Sequence, residues 1–448
     1  MKRRDFLKWS ALGLGSVTTG MVRGAVSYDD SLADRKLRVG VIGPGWYGKI
    51  DVLRLIQVAP VEVVSLCDVD QPTLDEACQI VASRQESHRE PRKFHDYRDM
   101  LAEKDLDLVL IDTPDHWHAL QMIAAVESGA DVYVQKPIAV DVAECKAMLT
   151  AARANQRVVQ VGLQRRSTPH LIEAKERFID SGALGKVGHV EIFSYYGGPG
   201  QTTTPPCEPP ADFDYDLWTG PAPMRPYYPQ KRRGGWRMFK EYGNGTLGDM
   251  GVHMFDMTRW FLGLAWPRRV SSTGGIYLKK ESIGNTPDTQ TVVFDYDDLQ
   301  IIWNHRTWSE VSDPKYPWGA TLYGEKGILK AGVFGYDFHE YGKETVSADV
   351  TYEYERYPED KTEPGLERHV SAAVRNHMKN LLHCMADRTR PVSDIEEGMI
   401  SSISCILGNM ALDLHRTLEW DPVSQTVKND DEANSLLARP YREPWVHP

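Results

Sequence analysis

The sequence predicts an α/β protein with a parallel sheet near its N-terminus and a second region that is rich in strands. Between residues 37 and 161, short runs of β-branched residues alternate with helical stretches, which is the pattern of βαβ units in a parallel sheet. A glycine-rich turn follows the first of these strands. Between residues 188 and 331, strand-like segments follow one another at a spacing that is typical of hairpins.

The composition fits a folded protein of two or three domains. The chain has 448 residues, of which 41% are hydrophobic and 26% are charged, so it can bury a sizeable core and is neither generally disordered nor fibrous. The net charge of -11 without a basic block argues against binding to nucleic acid or to a membrane surface. The six cysteines lack the spacing of a metal site or of a disulfide framework.

Residues 1–25 are predicted to be an export signal that is separate from the fold. The pair Arg3-Arg4 is followed, after one residue, by Phe-Leu-Lys and then by an apolar run over residues 9–17, which resembles the bacterial twin-arginine signal. The apolar run is too short and too rich in glycine for a permanent membrane helix. The sequence therefore predicts a protein that is periplasmic or otherwise exported, with a basic N-terminal tail as the alternative.

Residues 35–162 are predicted to form the first domain, in which helices connect the strands of the parallel sheet. The predicted strands cover residues 37–42, 61–67, 108–111, 131–134 and 158–161. The predicted helices cover residues 45–57, a stretch that begins near residue 72, and residues 115–128.

The turn after the first strand carries a dinucleotide-binding pattern. Gly43, Gly45 and Gly48 form a complete G-x-G-x-x-G between a strand and a helix. The first glycine permits the tight turn, the second lets a pyrophosphate approach the backbone, and the third lets the helix pack on the strand. Asp68 follows at the end of the second strand, where a carboxylate binds ribose hydroxyls and repels a 2′-phosphate. The pattern predicts NAD rather than NADP as the cofactor.

Three further motifs resemble those of one known family. They are Thr-Pro-Asp-His-Trp-His at residues 113–118, Gln-Lys-Pro at residues 135–137 and Gly-Asp-Met-Gly-Val-His at residues 248–253. Together with the glycine turn, and in this order, they resemble the Gfo/Idh/MocA oxidoreductases over nearly the whole chain after the signal. With the export signal, the chain is most similar to the glucose-fructose oxidoreductase branch. Gln135 departs from the family pattern, which has Glu before the Lys.

The resemblance implies a two-domain enzyme. A Rossmann domain would be followed, over residues 163–448, by an α/β domain with a large open, mostly antiparallel sheet, and two C-terminal helices would pack back on the first domain. An open sheet leaves a broad face to cover, which predicts a homo-oligomer, either a dimer or a tetramer. The predicted strands cover residues 188–196, 269–278, 290–296, 300–307, 319–323 and 327–331, the two helices cover residues 369–386 and 395–418, and a long irregular segment covers residues 197–245.

The resemblance also implies that Lys136, Asp249 and His253 act on the substrate. We expect Lys136 to hydrogen-bond the reacting hydroxyl and to stabilise its developing negative charge. His253 is the expected general base, because an ordinary imidazole pKa of about 6.5 suits proton transfer near neutrality. Asp249 is expected to orient either the substrate or His253.

The remaining site residues follow from the same resemblance. Trp46 and Tyr47 could equally be packing residues that do not bind the cofactor. Trp236 could equally be a core residue that does not bind the substrate. A metal at His116 and His118 would need a third ligand that the sequence does not suggest, so no metal is expected. Substrate binding is expected from Arg165, Trp236, Arg237, Asp249 and His253. Cofactor binding is expected from Gly43, Gly45, Trp46, Tyr47, Gly48, Asp68, Thr113, His118, Gln135, Lys136 and Gln164.

The resemblance implies a carbohydrate substrate and a hydride transfer that gives a keto sugar, with C3 as the first position to test. Since an exported protein meets no soluble NAD pool, we expect the NAD to be tightly bound and recycled by a second substrate. Two alternatives stay open. One is an NAD-dependent glycoside hydrolase of the same superfamily, and the other is a non-catalytic sugar-sensing protein on the same fold.

Overall fold

A computed structural model describes residues 36–195, 204–229, 234–311, 313–363 and 365–448. The predicted export signal over residues 1–25 lies outside these residues. Within them, none of the helices is both long enough and apolar enough to cross a membrane.

The first domain is built on a parallel sheet of six strands, counted over the described residues. The strands are β1 (Leu37–Ile42), β2 (Val61–Cys67), β3 (Arg92–Phe94), β4 (Leu108–Ile111), β5 (Asp131–Val134) and β6 (Val159–Val161). Their order is β3-β2-β1-β4-β5-β6, which is the doubly wound order of a Rossmann domain. The edge strand β3 escapes sequence prediction because it is a short Arg-Lys-Phe segment without an apolar run.

Helices cover both faces of this sheet. They are α1 (Trp46–Val58), α2 (Gln71–Arg84), α3 (Tyr97–Ala102), α4 (His118–Ser128) and α5 (Val142–Ala154). Burial on both faces explains why the central strands β4 and β5 are buried along their whole length. Side-chain caps set two of the helix starts, since Asp70 accepts from the backbone N–H of Thr73 and Asp141 from that of Glu144.

The second sheet has ten strands in the part of the chain that the structure describes. They are β7 (Val187–Ser194), β8 (Arg269–Gly275), β9 (Thr289–Asp295), β10 (Gln300–Arg306), β11 (Trp318–Gly324), β12 (Gly327–Gly332), β13 (Gly335–Glu340), β14 (Val346–Asp349), β15 (Leu418–Asp421) and β16 (Thr426–Val427). Their order is β14-β13-β12-β11-β7-β10-β9-β8-β15-β16. The pairing of β7 with β10 is parallel and the other strand pairs are antiparallel, which confirms the predicted fold class.

One face of this sheet is buried and the other is open. Along β9 and β10, the buried residues Val292, Phe294, Ile301 and Trp303 alternate with half-buried ones, as expected when only one face contacts helices. The described helices of this part of the chain are α6 (Pro169–Ala174), α7 (Tyr215–Thr219), α8 (Val252–Leu262), α9 (Ser371–Asp387), α10 (Ile395–Asp413) and α11 (Asp431–Ser435).

The two long C-terminal helices connect the domains. On α9, His377 lies with Nε2 2.9 Å from the backbone oxygen of Val161 and Nδ1 2.7 Å from the hydroxyl of Ser167. On α10, a Cβ at Gly398 would lie 2.6 Å from the Val161 side chain, so helix and strand approach closely there. The predicted helix over residues 395–418 ends earlier, at Asp413, because residues 418–421 pair with β8 as β15.

Candidate functional site

A large cavity lies at the carboxyl ends of the parallel strands, between the two domains. Its volume is about 1950 Å³, and both domains line it. Open α/β sheets bind their ligands at this edge, where the strand order reverses. Every residue of the predicted site lines this cavity except Gly48 and Gln164, which lie directly behind it.

The glycine turn forms the floor of the cavity, and each glycine is needed for a different reason. Gly43 has a φ of +81°, and a Cβ there would lie 2.8 Å from the backbone nitrogen of Thr113. A Cβ at Gly48 would lie 2.4 Å from the backbone oxygen of Gly43, so helix α1 can pack this closely only with a glycine. At Gly45 a Cβ would meet nothing within 4 Å. The backbone at Gly45 therefore faces open space, as close approach of a pyrophosphate requires.

The adenosine end of the cavity lies at the end of β2, where Asp68 accepts from the backbone N–H of Asp70 (2.9 Å). Residues 204–229 and 234–245, here called the bridging segment, cross from the second domain to this end. The backbone N–H of Gln71 donates to Asp212 O (3.0 Å), and that of Asp214 donates to Val69 O (3.0 Å). The bridging segment thus closes over the cavity beside Asp68.

Trp46 and Tyr47 both line the cavity and make packing contacts as well. The indole N–H of Trp46 donates to Gly365 O (2.7 Å), and the Tyr47 hydroxyl accepts from the side chain of Gln164 (2.7 Å). His118 contacts two loops of the site, because its two ring nitrogens lie 2.8 Å from the backbone oxygens of Thr113 and Pro137. His118 therefore fixes the turn after β5 relative to the end of β4.

Lys136, Asp249 and Arg237 form a half-buried charge cluster in the cavity wall. The Lys136 ammonium lies 2.6 Å from Asp249 Oδ1 and 2.7 Å from the Asp249 backbone oxygen. The guanidinium of Arg237 lies 3.1 Å from the same Oδ1. Burial alone would raise the pKa of Asp249, but Arg237 and Lys136 outweigh it and hold the pKa well below its usual range. Asp249 is therefore a fixed anion that positions Lys136.

His253 lies on the first turn of α8 and is only 3% exposed. Its ring packs against Trp318, with the ring centres 5.3 Å apart. Burial, followed by the charges of Lys136 and Arg165, lowers the pKa of His253 well below 6.5, so the ring is neutral at physiological pH. Asp249 lies in a π-helical turn over residues 247–251 that precedes α8, and its carboxylate contacts the two cations rather than His253.

Gln135 lines the cavity, and its side-chain amide also binds a buried carboxyl. Its amide nitrogen donates to Asp51 Oδ2 (2.5 Å), and a Cβ at Gly162 would lie 2.7 Å from its oxygen. Burial raises the pKa of Asp51 to about 7, and Asp112 is a second buried carboxyl beside it. A glutamate at position 135 would add a third carboxyl there, which explains why an amide suits this chain. Asp249, and not residue 135, offsets the Lys136 charge.

Two pairs of an arginine and a tryptophan line the cavity, and of these the sequence predicted Arg237 with Trp236 but not Arg165 with Trp318. Arg237 lies over the ring of Trp236, 4.3 Å from its centre, and Arg165 lies over Trp318, 4.7 Å from its centre. Trp236 is 7% exposed and belongs to the aromatic core of the bridging segment. Its principal contacts are therefore with protein, and it presents little free surface to a sugar.

Among the polar cavity-lining residues that sequence reasoning missed, Asp115, Glu367 and His369 bear on the proposed chemistry. Burial raises the pKa of Asp115 well above its usual range, against the opposing charge of Arg237. A Cβ at Gly243 would lie 3.1 Å from a carboxyl oxygen of Asp115. The position of Asp115 inside the 113–118 motif is a signal that could have identified it. Glu367 and His369 lie in an irregular segment with no such signal.

Among the described residues, Asp141, Glu144 and His447 could bring three ligand atoms within 4.8 Å of one another. Their oxygens already accept protein hydrogen bonds. Asp141 accepts from the backbone of Arg439 and lies 2.9 Å from His447 Nε2, and Glu144 accepts from the Tyr441 hydroxyl. These contacts anchor the C-terminal segment to the first domain.

Comparison with known proteins agrees with this geometry. Residues 37–163 match the family described as "Oxidoreductase family, NAD-binding Rossmann fold". Residues 176–302 and 357–447 match the family described as "Oxidoreductase family, C-terminal alpha/beta domain".

Two curated relatives match the chain over part of their length. The inositol 2-dehydrogenase of Salmonella typhimurium is 32% identical over 152 residues, which are 34% of this chain and 43% of the relative. A glycosyl hydrolase family 109 protein of Shewanella baltica is 31% identical over 176 residues, covering 35% of this chain and 38% of the relative. The chain thus matches less than half the length of either relative.

A solved structure matches over most of the chain. The inositol dehydrogenase homologue of Azotobacter vinelandii, in complex with NADH and myo-inositol, superposes with a TM-score of 0.64. The match covers 86% of this chain and 98% of that one, at 17% identity. This likeness shows a common fold.

Proposed function

Because the chain belongs to the Gfo/Idh/MocA oxidoreductase family, we propose that it oxidises a hydroxyl group of a sugar or glycoside and transfers the hydride to NAD. The observation that carries this proposal is the Lys136 ammonium, which Asp249 holds 2.6 Å away inside the cavity. It lies beyond the glycine turn, at the end of β5, where the nicotinamide end of a dinucleotide reaches in this fold. The product is a keto sugar, and C3 is the first position to examine.

The residues of the cavity supply the proton chemistry. NAD, when bound, accepts the hydride at its nicotinamide ring. Lys136 donates a hydrogen bond to the hydroxyl oxygen and stabilises the negative charge that develops on it. His253 takes the hydroxyl proton. Its Nδ1 is fully buried without a hydrogen-bond partner among the described residues, so Nε2 is the nitrogen available for that proton.

The glycine turn fits the pyrophosphate of NAD, and one substitution in it should weaken NAD binding without affecting folding. In Gly45→Ala the added methyl group meets no protein atom within 4 Å, so the melting temperature should be unchanged. The methyl group would occupy the space needed by the pyrophosphate, so the Kd for NAD should rise about tenfold or more. Calorimetric titration of cofactor-free protein measures this. Gly188→Ala, where the methyl group also meets nothing, is the control, and an unchanged Kd in Gly45→Ala would contradict the assignment.

We further propose that the NAD is retained and recycled. Two segments cross the cavity or its rim: the bridging segment, which Arg442 holds through Pro221 O (2.8 Å), and the loop at Gly365, which accepts from Trp46. Such bridges slow the exchange of a dinucleotide. Retention would suit the proposed export by the twin-arginine-like signal, because folded proteins loaded with cofactor can use that route. The open face of the second sheet supports a proposed homo-oligomer.

The proposal is tested on protein purified without added nucleotide. The bound cofactor is released by denaturation and identified, and native protein is mixed with a panel of sugars while NADH absorbance is followed. We expect bound NAD, one equivalent of reduction by a sugar, and further turnover only when a keto sugar is added. Protein that stays unreduced with every sugar would contradict the oxidoreductase, and free exchange with added NAD would contradict retention.

The second candidate is an NAD-dependent glycoside hydrolase. Two observations favour it as the alternative: the 31% identity to a glycosyl hydrolase family 109 protein, and the buried carboxyl of Asp115. Burial raises the pKa of Asp115 well above its usual range, which is the direction that suits a carboxyl acting as a general acid. Cleavage of nitrophenyl glycosides without lasting NADH absorbance would identify this activity.

A further inference from the structure

Glu367 is a carboxylate that the site described above leaves without a role. It lies in the segment between β14 and α9, which crosses to the first domain. This segment is anchored just before the glutamate, by Arg54 with Glu363 (3.0 Å) and by the indole of Trp46 with Gly365 O (2.7 Å). The position of Glu367 at the cavity is therefore fixed by contacts with the nucleotide-binding domain.

The carboxylate of Glu367 forms no hydrogen bond or ion pair with any residue that the structure describes, although the residue is half-buried and lines the cavity. The carboxylate is therefore open to the cavity and can accept hydrogen bonds from a ligand there. Burial raises the pKa of Glu367, against the opposing charges of Arg165 and Lys136. Such a group is satisfied when a ligand supplies the missing donors.

The charges around Glu367 indicate what that ligand carries. Asp249 is already shared by Lys136 and Arg237. Glu367 and Arg165 both line the cavity, and Arg165 is the cation that acts most strongly on the Glu367 carboxyl. The nearby His369 adds no charge, because burial lowers its pKa to about 4. Glu367 is therefore the second carboxylate beside these three cations, and it offers acceptor oxygens that the Asp249 pairs do not occupy.

We propose that Glu367 is a substrate-binding residue that selects neutral carbohydrates over sugar acids. Its two oxygens accept hydrogen bonds from neighbouring hydroxyl groups of a sugar, which are donors. The carboxylate of a sugar acid has no proton to donate and would be repelled by Glu367. This inference rests on the proposed oxidation of a carbohydrate and adds the class of carbohydrate.

The test compares D-glucose with D-glucuronate and D-galactose with D-galacturonate on wild type and on Glu367→Gln. One readout is the rate of reduction of the bound NAD, and the other is the Kd of each sugar by calorimetry. We expect wild type to prefer the neutral member of each pair. In Glu367→Gln the neutral-to-acid ratio should fall about tenfold or more in both readouts, with Glu367→Asp between the two.

Glu355→Gln is the matched control, because Glu355 is an exposed carboxylate in the same segment and outside the cavity. It should leave both ratios unchanged. Unchanged ratios in Glu367→Gln, or a wild type that prefers the acids, would overturn the role of Glu367. If wild type is reduced by no sugar, the proposed oxidation fails. The Kd values then decide separately whether Glu367 discriminates between the neutral and acidic ligands.

Discussion

Lys136→Met is expected to lower the rate of sugar-dependent NAD reduction by about 10³-fold while the NAD stays bound. The substitution keeps a flexible apolar chain of similar length but removes the ammonium that faces the reacting oxygen. The Lys136 side chain is 10% exposed, so water cannot easily replace the lost donor. The measurement is the single-turnover rate of NADH formation, with the NAD content determined after denaturation.

The control is Lys175→Met, which removes a lysine that is paired with Asp180 (2.5 Å) outside the cavity. It should reduce NAD as wild type does. A Lys136→Met protein with a wild-type rate would remove Lys136 from the mechanism. Sugar binding without turnover in wild type itself would instead indicate the sensing protein that the sequence leaves as an alternative.

Asp249→Asn is expected to lower kcat/KM by about 10²-fold and the free energy of unfolding by about 2 kcal/mol. The variant leaves Lys136 and Arg237 side by side without their shared anion, so the two cations repel each other. Lys136 then moves away from the position that suits the hydroxyl oxygen. The effect on stability is moderate because the carboxylate is 22% exposed. Chemical denaturation and steady-state kinetics measure the two effects.

Asp256→Asn is the control that separates the effect of Asp249→Asn on stability from its effect on catalysis. Asp256 lies on α8, is fully buried, and binds Arg166 through both oxygens (2.7 and 2.8 Å). Its loss should reduce stability at least as much as Asp249→Asn, yet folded Asp256→Asn should keep the wild-type kcat. Equal losses of kcat in both variants would mean that Asp249 acts on the fold and not on Lys136.

The sequence predicted the nucleotide-binding half in detail because its signals are local. Glycines at fixed spacing, an acid at the end of β2 and alternating strands and helices each depend on neighbouring residues. The sequence-based predictions were wrong or incomplete where contacts between distant parts of the chain determine the secondary structure. The short edge strand β3 and the strand β15 form only because a partner strand is present, and the latter ends the helix α10 earlier than its sequence predicts.

The sequence by itself determined the two-sheet α/β fold, because the periodicity of its strands and helices is local. The order and spacing of its motifs determined the family and, through it, the cavity-lining residues of those motifs. The tertiary structure alone decided how those residues pair. Asp249 reaches Lys136 across 113 positions of the chain, Gln135 binds the buried Asp51, and Glu367 lies in a segment without any motif. Electrostatic partners are chosen by distance and burial in space, and no local pattern of residues records either quantity.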